Sequence, residues 1–101
     1  MSQLIQKLSI SRTTGIRTTD ASVDPNPARV SYFVQNLSTE PLFVKEGPGC
    51  TSSDFTFVLS AGASNDDGNG SCFEASSGQV YVGEISFNSV DVRFTLTERE
   101  E

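Results

Sequence analysis

Residues 90–98, VDVRFTLTE, alternate without a fault, and a chain with such a run must bury one face of it against something. Val90, Val92, Phe94 and Leu96 point one way, and Asp91, Arg93, Thr95 and Thr97 the other. This predicts a half-buried strand. No stretch repeats apolar residues at i, i+3, i+4 and i+7 over eleven positions, which limits helix to a turn or two. The chain reads as all-β.

The other strands follow from the same pattern. QVYVGEISF (79–87) is β-branched and aromatic on both faces, as in a strand covered on both sides. Gly83 within it signals a bulge or a close backbone approach. Asn88-Ser89 then predicts a two-residue hairpin turn into 90–98. ARVSYFVQN (28–36) places Val30, Tyr32 and Val34 on one face and Phe33 on the other. The turn Leu37-Ser38-Thr39-Glu40 leads to PLFVK (41–45), and FTFVL (55–59) keeps Phe55, Phe57 and Leu59 in step. Leu4, Leu8 and Ile10 alternate weakly, as a first strand or an extended arm, and Ser11–Pro27 reads as loop or arm. The expectation is a small antiparallel β-sandwich or barrel of about six short strands. Residues 1–27 form an N-terminal arm or loop segment, and 28–101 a single β-domain with a short acidic tail.

A chain of 101 residues buries only about 60–65% of the surface its unfolded form exposes, so partner subunits or a disulfide would help it. The absence of His excludes a Ser-His-Asp triad and every His-containing zinc site, and two cysteines cannot form a four-cysteine one. No cofactor and no metal are expected. No apolar run approaches the ~20 residues of a membrane span, and MSQLIQKLSI forms no signal-peptide core. The formal charge of −6 is uneven, because residues 1–19 hold Lys7, Arg12 and Arg17 and no acid. The acidic remainder argues against nucleic acid as a partner.

Four local features bear on function. Asn65-Asp66-Asp67-Gly68-Asn69-Gly70 imitates the start of a calcium loop, but Ser76 stands where the bidentate acid belongs, and the same residues suit a tight turn. Cys50 and Cys72 are 22 positions apart, and the sequence leaves open both a disulfide and two free thiols. No His or basic cluster activates either thiol. Asn36-Leu37-Ser38 and Asn69-Gly70-Ser71 match the glycosylation sequon by accident, given no signal peptide. No spacing among the thirteen carboxylates selects an acid–base pair, so the chain is expected not to be an enzyme.

One succession of residues is more specific. It comprises Arg29, Tyr32-Phe33-Val34-Gln35-Asn36-Leu37-Ser38, Leu42-Phe43-Val44-Lys45-Glu46-Gly47 and Phe55, then Val58-Leu59-Ser60-Ala61-Gly62. It continues through Asp66-Asp67-Gly68-Asn69-Gly70 and Tyr81-Val82-Gly83-Glu84-Ile85-Ser86 to Arg93-Phe94-Thr95-Leu96-Thr97-Glu98. Over residues 28–98 the chain resembles the small virion structural proteins of tailed bacteriophages, which are similar to capsid decoration (cement) proteins. The resemblance implies a protein made in the host bacterial cytoplasm that binds and stabilises the outer capsid surface. Its implied partner is the major capsid protein of the same virion, with the chain itself a homotrimer and no membrane involved. The N-terminal arm would supply capsid contacts through Leu4, Ile5, Leu8, Ile10, Arg12, Ile16 and Arg17. Another virion position (neck, tail or fibre base) and a surface glycan- or receptor-binding module are the alternatives.

Overall fold

The computed structural model describes residues 9–17, 20–76 and 80–100. Among these the chain forms no helix and eight strands: β1 (Ser9–Arg17), β2 (Asp20–Val23), β3 (Arg29–Asn36), β4 (Leu42–Glu46), β5 (Phe57–Leu59), β6 (Cys72–Ala75), β7 (Ile85–Asn88) and β8 (Val92–Glu100). They build two four-stranded antiparallel sheets, ordered β1-β8-β3-β6 and β2-β7-β4-β5. Only β4 and β5 are both consecutive and paired. Every other connection carries the chain from one sheet to the other.

One apolar core joins the sheets. Tyr32, Val34, Val92, Phe94 and Leu96 enter it from the first sheet, and Val23, Leu42, Val44, Leu59, Ile85 and Phe87 from the second. At its centre the Phe87 and Phe94 rings stack across the layers, 3.9 Å apart at 17°. The alternation of β8 places Val92, Phe94 and Leu96 inside as expected. Val90 is 75% exposed, because the strand begins only at Val92 and Val90 belongs to the preceding turn.

Three other expectations change. β7 and β8 form no hairpin: they lie in different sheets, and Asn88-Ser89 belongs to a crossing in which Ser89 Oγ accepts the Asp91 amide at 3.3 Å. Among the described residues of this run, 80–87, strand begins only at Ile85, because the carbonyls of Tyr81, Val82 and Gly83 bond to Asn26 and Arg29 rather than to a neighbouring strand. The close neighbour of Gly83 is a side chain rather than a backbone, since the Tyr81 hydroxyl stands where a Cβ would lie. In β3 the register shifts between Arg29 and Ser31, which turns Arg29 into the core and Val30 out to solvent.

The largest difference is at the N-terminal segment read as arm or loop. Residues 9–17 pair with β8 through nine consecutive positions, and Asp20–Val23 pairs with β7. β2 contributes Val23 to the core, with Ala21 packed against it, while β1 is held by its pairing with β8. Gly15 stands opposite Phe94, whose ring occupies the space a side chain would need: a Cβ at Gly15 would lie 2.1 Å from Phe94 Cε1. Of the predicted arm contacts, Ile10, Arg12, Ile16 and Arg17 therefore belong to a strand of the sheet, while Leu4, Ile5 and Leu8 lie outside the described residues. β6, a short strand with no alternating pattern of its own, completes the first sheet beside β3.

Because Phe94 is held against Phe87, it cannot move aside for a larger residue at position 15. Gly15→Ala is expected to lower stability by about 1–3 kcal/mol, the usual range for overpacking, read as a shift of the urea midpoint at unchanged slope.

Candidate functional site

The most organised polar cluster is built on Arg29. Its guanidinium is fully buried and makes four hydrogen bonds and an ion pair. Nε donates to Glu98 Oε2 at 2.8 Å, Nη2 forms an ion pair with the same oxygen at 2.7 Å, and Nη2 donates to the Asp24 carbonyl at 3.4 Å. Nη1 donates to the carbonyls of Tyr81 and Gly83 at 2.9 and 3.1 Å. Asn26 Nδ2 donates to Glu100 Oε2 at 2.6 Å and to Glu98 Oε2 at 3.3 Å. One cation thus ties β8, the β2–β3 loop and the 80–84 segment together.

A second cluster is built on buried Asn36. Its Nδ2 donates to the carbonyls of Glu40, Leu59 and Ser60 at 2.9, 3.3 and 3.1 Å, and its Oδ1 accepts the Ser38 amide at 2.9 Å. The sequon at Asn36 is therefore closed to modification in the folded chain. The adjoining acidic loop is organised by Asp67, whose carboxylate accepts the amides of Ala63, Ser64 and Asn69 at 3.0, 2.8 and 2.8 Å. These bonds, that from Asn69 foremost, hold its pKa below the usual carboxylate range. Asp66, with φ of 63°, pairs with Arg93 at 3.3 Å. Both acids of the calcium-like sequence are engaged in the turn.

The two cysteines are free thiols. Cys50 is buried beside β7, with its amide donating to Ser86 Oγ at 3.1 Å, while the Ser86 hydroxyl donates to the Gly47 carbonyl at 2.5 Å. Burial pushes its thiol pKa up to about 11, so it stays protonated at neutral pH. It lines a cleft of about 570 Å³ with Asp20, Ser22 and Glu84, against Phe87 and Phe94. Cys72 is exposed on β6, in the other sheet.

Apolar side chains also face outward. Phe43 and Phe55 contact at 5.0 Å on the second sheet's outer surface, near exposed Val58, and Val30 and Phe33 are exposed on β3. Phe73 packs on Phe57 at 4.3 Å where the core opens between β6 and β5. Tyr32 is core, and its hydroxyl donates to Glu46. Burial and that carboxylate raise its pKa above the usual phenol value. The predicted site residues are thus spread over separate regions of the fold. No family model, curated protein or solved structure matches the chain.

Removing one partner of the buried pair leaves the other charge uncompensated, so Arg29→Met is expected to cost about 3–5 kcal/mol in urea unfolding. Arg29→Met combined with Glu98→Leu is expected to recover only part of that loss, since the carbonyls of Asp24, Tyr81 and Gly83 lose their donor. Ellman's reagent should label Cys72 in the native protein and Cys50 only after unfolding. The raised pKa of Cys50 contributes stability that is complete below its ordinary value of 9.0 and disappears as pH rises through about 11, with Tyr32 acting in the same sense. Denaturation midpoints should therefore fall across that interval, and less steeply in Cys50→Ala.

Proposed function

We propose that this chain is a structural virion component of a tailed bacteriophage, a homotrimeric capsid decoration protein that binds and stabilises the outer surface of the head shell. Its partner is the major capsid protein, and it acts by contact alone, without a catalytic step. The observation that carries this reading is what the residues of the phage-like succession do. Arg29, Asn36, Asp67 and Glu98 fasten loops and strands to one another, and Phe33, Phe43, Phe55 and Val58 present apolar surface outside the core. These are the parts of a scaffold for contacts.

The strand order adds support. Sheets ordered β1-β8-β3-β6 and β2-β7-β4-β5 follow the double-sheet jelly roll, a β-sandwich architecture used by viral capsid domains and by lectins. Fold alone does not separate those two uses. The carboxylates near the core favour the structural one: Glu98 pairs with Arg29, and Glu46 accepts the Tyr32 hydroxyl.

The test is co-sedimentation of the purified protein with heads assembled from the major capsid protein of the same genome. Saturable binding that raises the temperature at which the heads open is the expected result. Binding to tails or fibres but not heads would move the protein elsewhere in the virion, and binding to a glycan surface alone would replace this reading with the ligand-binding one.

A further inference from the structure

The first sheet is electrostatically asymmetric across its width. A single lateral row runs from Arg12 on β1 through Thr97 on β8 and Phe33 on β3 to Glu74 on β6. It begins with a cation at one edge strand and ends with an exposed carboxylate at the other. β1 carries Arg12 and Arg17 and no acid, and β6 carries Glu74 and no base. Among the described residues neither strand has a neighbour on its outer side.

The core is also incomplete at the β6 edge. Phe73 sits opposite Val34, in the register that faces the core, yet it is 37% exposed while Val34 is completely buried. One more strand beside β6 would cover it.

We propose that a second copy of this chain supplies that strand: β1 of one copy pairs antiparallel with β6 of the next, extending the sheet head to tail. The topology permits it without any reorientation. With four strands alternating in direction, β1 and β6 of one sheet are antiparallel, so a copy placed in the same orientation continues the alternation. Continuing the existing rows sets Glu74 opposite Arg12, Phe73 opposite Thr13 and Cys72 opposite Thr14 of the neighbour. The two symmetric alternatives are disfavoured by charge. Pairing β1 with β1 collects four arginines along one junction, and pairing β6 with β6 sets Glu74 near its own copy. Head-to-tail contacts close into a ring when the rotation between copies allows. The inference gives the trimer of the proposed function its interface and rests on that reading for the ring size.

The register makes the test specific, because Thr14 and Cys72 are both exposed in the separate chain. In full-length Thr14→Cys, mild oxidation should join neighbours through native Cys72, giving on a non-reducing gel species that end at three times 10.9 kDa. The same variant carrying Cys72→Ser should stay uncrosslinked. In light scattering, Glu74→Arg and Arg12→Glu should each reduce the mass to that of one chain, and the two together should restore it. Circular dichroism of each variant checks that the fold is intact. A wild-type protein that is monomeric at every concentration overturns the inference, as does an oligomer that neither crosslinks at these positions nor responds to the charge reversals. Head binding is read separately. An edge-linked oligomer that ignores heads would discard the proposed function and keep the interface, whereas head binding by an oligomer lacking the crosslink would do the reverse.

Discussion

The arrangement depends first on a buried cation. Arg29 is buried, and the chain around it is shaped to pair and hydrogen-bond its guanidinium. Bringing a guanidinium out of water costs several kcal/mol, which is offset only when a carboxylate and enough carbonyls meet it in good geometry. Glu98 supplies the charge; Asp24, Tyr81 and Gly83 supply the carbonyls. Segment 80–84 is irregular for this reason, as two of its carbonyls turn toward Arg29. The register shift in β3 has the same consequence, since without the extra residue Val30 would point inward and Arg29 outward. A bulge, an interrupted strand and an ion pair are one feature seen from three sides.

What was legible in the sequence was what burial alone dictates. Phe94 and Leu96 in β8, Leu42 and Val44 in β4, and Tyr32 and Val34 in β3 are core residues, and simple alternation points to them. Arg29 and Glu98 were passed over, although a signal existed. Glu98 is in phase with Val92, Phe94 and Leu96, and a carboxylate on the buried face of a strand requires a buried donor nearby. The polar edge strands were not legible in this way. β1 is stabilised by backbone pairing with β8 and by the ring of Phe94 over Gly15, and neither contribution leaves an apolar pattern in β1 itself. β6 is a four-residue strand with three exposed positions, so its sequence carries little trace of the pairing that β3 imposes on it.

The candidate site was legible only in its parts. The Asn- and Asp-rich loop could be assigned to a turn because Asp and Asn tolerate positive φ and bond to nearby amides; Asp66 does the first and Asp67 the second. The two cysteines could not be placed, since their sequence separation does not show that Cys50 lies in the β4–β5 connection and Cys72 on β6. The match of Asn36 to a modification sequon says nothing of its role, and its environment makes it a buried clamp between the β3–β4 crossing and the end of β5. In each case the deciding fact was a partner distant in sequence. That is expected where nearly every connection crosses between layers.

The same crossing topology explains why the sheet edges matter. A fold in which consecutive strands alternate between two sheets leaves each sheet with two terminal strands, and exposed strand edges are templates for further pairing. Proteins usually protect such edges with charge, short strands or irregularity. Here β5 and β6 are short, at three and four residues, while β1 runs for nine residues with arginines and no acid. Arginines along β1 repel another β1, and the carboxylate on β6 repels another β6. Each edge is thus guarded against its own kind, yet the two guards are of opposite sign. A device that prevents indiscriminate self-pairing leaves one pairing electrostatically favoured, and it is the pairing that would cover Phe73.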